Sequence, residues 1–365
     1  MMEQKVVHAF FIALRAGLWS VKPDRNVFRS LTNANWLALY QLSVNQTVDG
    51  IIADVIQGLD TEVLPPKALW IKWMVRLQQL EYRNAWMNGI IAEQLDFFSK
   101  HGLQPVLLKG QGLTAFYDQP LHRVCGDIDW YFADRQEYKR ANGLLENKGI
   151  KVARVPGYSV CYTWKGCVVE HHQRMFDIHN PFCSRYLKKL EREEMIRHIM
   201  LPFQGETLII PAPILNTIQV NVHILKHLLG YGIGVRQLCD AARLYEVLHK
   251  EIDGAYLKSV YQALGILHWV TLLHVLLVDY LGLEKSKLPF QDETNEDVRW
   301  MLNDILAAGN FGFHHGYYQA KPGQAGINRT GRAKQLWYSF RRYVRLAPME
   351  AISFPIVQLL SRIQH

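Results

Sequence analysis

Two aspartates one residue apart, Asp127 and Asp129 in the run Gly126-Asp127-Ile128-Asp129-Trp130-Tyr131-Phe132, have the clearest capacity for chemistry in this chain of 365 residues. The apolar and aromatic residues around them spell a short strand, and side chains at i and i+2 of a strand share a face. Carboxylates held that close repel each other, and the pair is most stable with a divalent cation or a shared proton between them. A cation suits what lies upstream. Gln104 to Lys109 reads as a buried strand, Gly110 and Gly112 punctuate its end, and Leu113 to Tyr117 reads as the start of a helix. Strand, glycine turn and helix N-terminus together present backbone N–H groups to an anion, and Lys109 and Arg123 add positive charge. The pattern predicts a triphosphate on the turn at Gly110 and Gln111, with its metals on the two aspartates.

A third carboxylate completes such a site. Val168-Val169-Glu170-His171-His172 reads as a further strand, with Glu170 and His172 on one face and His171 on the other. Glu170 can ligate a metal or help deprotonate an acceptor hydroxyl; Asp177, in Phe176-Asp177-Ile178-His179, is its rival. The histidines raise a zinc reading, with His171, His172 and His179 in one region and His223 and His227 at helical i, i+4 spacing. Zinc sites need three or four converging ligands. Only two share any one predicted face, so hydrogen-bonded histidines are the expectation. Arg236 and Asp240, also at i, i+4, suit a helical salt bridge. Paired carboxylates fit phosphoryl chemistry for a physical reason: in-line attack at an α-phosphorus builds charge on the entering and leaving oxygens, and two bridged cations stabilise both. Mg²⁺ prefers hard oxygen ligands and keeps waters that a substrate can displace; Mn²⁺ is the second choice.

The order Lys109-Gly110, helix, Arg123, Gly126-Asp127-Ile128-Asp129 and Glu170-x-His172, together with Gly232 to Asp240 further on, resembles the uncharacterised nucleotidyltransferase-like family of the DNA polymerase β superfamily over roughly residues 100 to 245. Where that superfamily's turn more often reads Gly-Ser or Gly-Gly, Gln111 follows Gly110 here. The resemblance implies an α+β fold with a polymerase-β-like palm, a small mixed sheet flanked by N-terminal and C-terminal helical regions. It also implies Mg²⁺-dependent transfer of a nucleoside monophosphate from an NTP to an acceptor hydroxyl or phosphate. In that picture Asp127, Asp129 and Glu170 are catalytic and hold two metal ions. Lys109, Gly110, Gln111, Arg123, Gly126 and Arg236 bind the nucleotide. The acceptor is left open among small molecules, proteins and RNA. A reading from another class is a non-catalytic nucleotide-binding or regulatory protein, for example of toxin–antitoxin type.

The elements that must position these residues follow from periodicity. Residues 1–100 read as helices at Val6–Leu18, Asn35–Val44, Val48–Leu59 and Lys67–Lys100, the last opened by Pro65-Pro66. Residues 101–210 alternate strands and helices as the palm. They include a helix capped by Asp134 and closed by Gly149, strands at Lys151–Arg154, Ser159–Trp164 and Cys167–His172, a helix from Ser184 to Met200 and a strand at Gly205–Ile210. Residues 211–310 read as a helical domain. Residues 311–365 read as a glycine-rich loop, Phe311 to Gly331, then a basic aromatic segment, Arg332 to Arg345, that docks on the body, meets RNA or lies on a membrane surface, in that order of preference.

Composition bounds the rest. With 49% hydrophobic and 20% charged residues the chain buries a sizeable core, and a formal charge of +8 suits a partner carrying phosphates. Five cysteines without Cys-x-x-Cys spacing favour reduced thiols and a cytoplasmic location. Met1 to Trp19 reads as an amphipathic helix, not a signal peptide. Ile266 to Leu283, interrupted by His268, His274 and Asp279, reads as a buried helix and not as a membrane span.

Overall fold

Helices α1 (Gln4–Trp19), α2 (Arg25–Arg29), α3 (Asn33–Asn45), α4 (Asp49–Gln57) and α5 (Lys67–Lys100) come first in a computed structural model that describes residues 3–155, 159–230, 232–310 and 329–363. Then follow β1 (Val106–Leu108), a single turn α6 (Lys109–Gly112), β2 (Ile128–Tyr131), α7 (Arg135–Asn147), β3 (Ala153–Val155), β4 (Ser159–Trp164) and β5 (Cys167–His172). After these come α8 (Ser184–Glu194), β6 (Ile199–Phe203) and β7 (Glu206–Ile210). The chain continues through α9 (Pro213–Gly230), α10 (Val235–Leu248), α11 (Gly254–Leu264), α12 (Leu267–Asp279), α13 (Arg299–Ala308), α14 (Arg329–Tyr343) and α15 (Pro348–Ile363).

One mixed sheet of seven strands runs in the order β3-β4-β5-β2-β1-β7-β6, so the fold is α+β. β2 lies parallel to β5 and antiparallel to β1, and β1 lies parallel to β7. Strand alternation assigns the two faces different work. On one face Trp130 and His171 are register partners, and the long helix α5 covers them. Trp130 Nε1 donates to Gln94 Oε1 at 2.8 Å, and Gln94 Nε2 donates to the Tyr162 hydroxyl at 2.8 Å. Phe98, fully buried on α5, packs edge-on to Trp130 and Phe132, and burial of such a ring contributes about 1.5–3 kcal/mol. On the other face stand Asp129, Glu170 and His172.

The helices on either side form one body. Trp19 Nε1 donates to Leu281 O at 2.6 Å and Arg15 Nε to Tyr280 O at 2.8 Å, which satisfies carbonyls left bare at the end of α12. Gln46, fully buried, accepts from Val235 N at 2.9 Å and donates to Leu306 O at 3.1 Å. At the other end Glu350 of α15, 2% exposed, accepts from the backbone N–H groups of His179 and Asn180. This ties the C-terminal helix to the loop that follows β5.

Several expectations shift. The helix foreseen as far as Met200 stops at Glu194, and Ile199 opens a hairpin with β7. Gln204 (φ 49°) and Gly205 (φ 89°) form its turn, where two successive left-handed residues match the twist of the strands. After β1 there is no full helix at Leu113 to Tyr117, only a 3-10 turn at Thr114–Phe116. The strand expected from Lys151 forms two residues later, at Ala153. Of the loop expected at Phe311 to Gly331, residues 311–328 lie outside the described residues, and its last residues belong to α14. The basic aromatic segment packs on the body: Arg342 pairs with Asp304 at 2.7 Å and lies over the Trp300 ring, and Tyr343 is buried. All five cysteines are free thiols. Among the described residues no helix is long and apolar enough to cross a membrane.

Candidate active site

The turn that leaves β1 is shaped by backbone that side chains rarely adopt. Gly110 has φ 41° and ψ −118°, and Lys109 before it has φ 24°. A Cβ on Gly110 would stand 3.3 Å from the Asp127 carbonyl and 3.8 Å from Asp129 Oδ2, so glycine lets the turn lie against the acidic strand. The segment before β2 is strapped from several sides. Asn84 Nδ2 donates to Leu121 O and Arg123 O, Arg236 Nη1 to Val124 O at 2.8 Å, and Arg83 Nη2 to Gly126 O at 3.2 Å. These bonds fix where Asp127 begins.

Across β2 and β5, Asp129 and Glu170 are register partners in a parallel pair. Their side chains, with His172, bring ligand atoms within 4.8 Å of one another. Asp129 is 1% exposed; its Oδ1 accepts from His172 Nε2 at 2.7 Å and lies 3.1 Å from Lys109 Nζ. Its Oδ2 is buried with no hydrogen-bond partner among the described residues. His172 Nδ1 is held by the Ser159 hydroxyl at 3.0 Å, and its Nε2 also lies 3.4 Å from Glu170 Oε2. His171, on the opposite face, is a core histidine between the Tyr162 hydroxyl and Asn142 Oδ1. Burial, and then the neighbouring His172, push its pKa down to about 3.

The electrostatics are those of crowded like charges around one cation. The charge of Asp129, and then burial, push Asp127 up to about 6, while Lys109 pulls it back. Burial works against ionisation of Asp129, but Lys109 and His172 outweigh it and hold the carboxyl below the usual range. Burial also disfavours the Lys109 ammonium. The surrounding Asp129, Asp127, Asp177 and Glu170 more than compensate and hold its pKa above the ordinary lysine value.

A cleft of about 400 Å³ opens over this face. Lys109, Gly110, Arg123, Gly126, Asp127 and Glu170 line one side, and His223, Lys226, His227, Arg236 and Asp240 of α9 and α10 line the other. Asp129 and His172 sit behind that lining. Gln111 turns away: it is 4% exposed, and its Nε2 approaches Asn84 Oδ1 at 3.4 Å. Arg123 is engaged by Asp240 through Nε and Nη2, both at 2.7 Å, and Tyr117 donates to the same carboxylate. The i, i+4 pair foreseen between Arg236 and Asp240 is therefore not the one made; Asp240 pairs with a residue 117 positions away, and Arg236 donates to Val124 O and to the Thr47 hydroxyl. Asp177 is bound by Lys226 at 2.9 Å and by His223 at 3.3 Å. Lys226 is a cleft residue that the sequence reading passed over, although its i+3 spacing from His223 on an apolar helix places it on the same stripe.

The described residues that bring three ligand atoms together are thus Asp129, Glu170 and His172. Asp127 lines the cleft beside them, and His223 and His227 contact each other but belong to no three-ligand group among the described residues. No curated protein matches the chain significantly. One solved structure with similarity is the crystal structure of an antigenic nucleotidyltransferase-like protein from Paracoccidioides brasiliensis, 12% identical, covering 44% of this chain and 75% of that one with a TM-score of 0.31. The family described as uncharacterised nucleotidyltransferase matches residues 32–282, well over half of the chain, and the chain belongs to that family.

Proposed function

We propose that the protein is a Mg²⁺-dependent nucleotidyltransferase, moving a nucleoside monophosphate from an NTP to an acceptor hydroxyl or phosphate. The observation that carries this reading is the Asp129–Glu170 register pair on adjacent parallel strands, beside Asp127 and under a cationic cleft. A divalent ion fits these residues on two counts. Asp129 Oδ2 is buried without a hydrogen-bond partner among the described residues, a state that costs about 1–3 kcal/mol unless something occupies it. The donors are mostly hard carboxylate oxygens, which suit Mg²⁺ or Mn²⁺. Asp127, Asp129 and Glu170 would hold the metal, which when bound stabilises charge on the attacking and leaving oxygens.

The chain's own residues have distinct tasks in this scheme. Lys109 neutralises Asp129, and its ammonium, at the foot of the Gly110 turn, would also balance charge on phosphate oxygens bound there. His172 donates to Asp129 Oδ1 and leaves Oδ2 without a hydrogen-bond partner among the described residues, so that Oδ2 would be available to a metal. Arg236 faces the cleft at the α10 side, within reach of an anionic substrate. Arg123 acts through its pairing with Asp240, fixing the segment that delivers Asp127. The acceptor is drawn from hydroxyl or phosphate compounds, and family membership does not choose among small molecules, proteins and RNA.

Incubation with Mg²⁺, all four NTPs and cell extract tests the proposal through pyrophosphate release. Steady release that disappears in Asp129→Asn is the expected result. Tight NTP binding with no release from any acceptor pool would instead favour a nucleotide-binding regulator.

A further inference from the structure

The cleft wall made by α9 carries a chain of groups that the scheme above leaves idle. Asp177 Oδ2 meets His223 Nδ1 at 3.3 Å, and His223 Nε2 meets His227 Nε2 at 3.1 Å, with the two rings edge-to-face at 4.4 Å between centroids. Lys226, one turn along, holds the other Asp177 oxygen at 2.9 Å. Two imidazole nitrogens at that separation share one hydrogen, since two lone pairs facing each other would repel. If His223 donates through Nδ1 to Asp177, His227 must donate through Nε2 to His223, and the pair is neutral as it stands. Both rings line the same cleft as Lys109, Gly110 and Glu170.

We propose that His223, His227 and Lys226, oriented by Asp177, form the subsite for the β- and γ-phosphates of the nucleotide, and that the histidine pair takes up a proton when the polyphosphate binds. The inference rests on the nucleotidyltransferase reading and deepens it by assigning the triphosphate tail to the α9 wall. Among the described residues, the charged groups facing the pair include Asp177, Lys226 and Lys109. Burial and the two lysines hold His223 down at about 4, against the pull of Asp177, and hold His227 well below its ordinary value. The pair is therefore uncharged at neutral pH in the free protein. An anion about 4 Å away at an effective dielectric near 20 raises an imidazole's pKa by about 3, which brings His223 from about 4 into the neutral range. A polyphosphate carries several such charges. The proton adds a positive charge to the wall only when an anion is there to use it, so the empty cleft is spared a cluster of buried cations.

Calorimetric titration of the full-length protein in two buffers of different ionisation enthalpy, at pH 7 with Mg²⁺, tests this. The probes are inorganic pyrophosphate, a non-hydrolysable NTP and the matching NMP. The expected result is uptake of about one proton with pyrophosphate and with the NTP analogue, and of none with the NMP. In His223→Gln and in His227→Gln, each checked for native melting, the uptake should vanish and pyrophosphate affinity should fall about tenfold or more. Unchanged uptake and affinity in both variants, or equal uptake with the NMP, would overturn the subsite and leave the nucleotidyltransferase reading standing. Failure of the wild-type protein to bind any of the probes would remove both. Lys226→Gln is a further arm: weaker pyrophosphate binding with the proton uptake retained is the expected outcome, and unchanged affinity counts against the subsite.

Discussion

Replacing Lys109 by methionine keeps the stem of the side chain and removes the ammonium 3.1 Å from Asp129 Oδ1. Asp129 is 1% exposed, so its charge is left with only the His172 hydrogen bond beside it. Breaking a buried ion pair by removing one partner costs about 3–5 kcal/mol. The surviving bond to His172 argues for the lower end, about 3 kcal/mol at pH 8. The penalty should depend on pH in a defined direction. Asp127 already titrates at about 6 with Lys109 pulling it down, so the variant raises it further. A carboxyl whose pKa is higher folded than unfolded binds more protons in the native state between the two values, so stability falls as pH rises through that window. One proton's difference changes stability by about 1.4 kcal/mol per pH unit. Lys109→Met should therefore be most destabilised at pH 8 and recover about 1–3 kcal/mol relative to wild type at pH 5. Mg²⁺ at about 10 mM should stabilise the variant at pH 8 more than it stabilises wild type, because a bound cation supplies the missing charge. Urea unfolding at both pH values, with and without MgCl₂, reads all three effects. An equal penalty at pH 5 and pH 8, with no response to magnesium, would refute the picture of carboxylates crowded around one cationic position.

Gly110→Ala places a Cβ 3.3 Å from the Asp127 carbonyl at φ 41° and should cost about 1–3 kcal/mol in chemical denaturation, with NTP affinity lost in calorimetry. Arg123→Met leaves Asp240 buried without its guanidinium partner and should destabilise by about 3–5 kcal/mol; a loss confined to nucleotide affinity, with stability intact, would show that the arginine serves substrate instead. Glu350→Gln weakens the bonds from His179 and Asn180. It should lower stability by about 1–3 kcal/mol, read as faster proteolysis of the C-terminal helix.

What the sequence made legible was set by local signals. Pro65-Pro66 and a long apolar stripe place α5 at Lys67–Lys100, where the structure has it. Asp134 accepts from Gln136 N and Glu137 N as an N-cap should, and Gly149 (φ 80°) ends the same helix. Period-two alternation put Glu170 and His172 on one face and His171 on the other, and the contacts of the three follow that division. The strand expected at Gly205–Ile210 is β7, but its partner β6 was missed because the charged run before Met195 looks helical and Gln204-Gly205 is a weak turn signature. Pairings across more than a hundred residues were not readable at all. Arg123 takes Asp240 from α10 although Arg236 sits at ideal helical spacing, because burying Arg123 in the segment before β2 demands a carboxylate there. The side chain of Gln111 likewise follows from the packing of Asn84 on α5, which no local pattern announces.

Nucleotide binding should depend on a metal held by Asp127 and Asp129. Isothermal titration of Mg²⁺ with a non-hydrolysable NTP into wild type and into the Asp127→Asn, Asp129→Asn double variant measures it most directly. Saturable, Mg²⁺-dependent nucleotide binding is expected in wild type, with its loss in a variant that still melts cooperatively. Equal binding by the two proteins would contradict it.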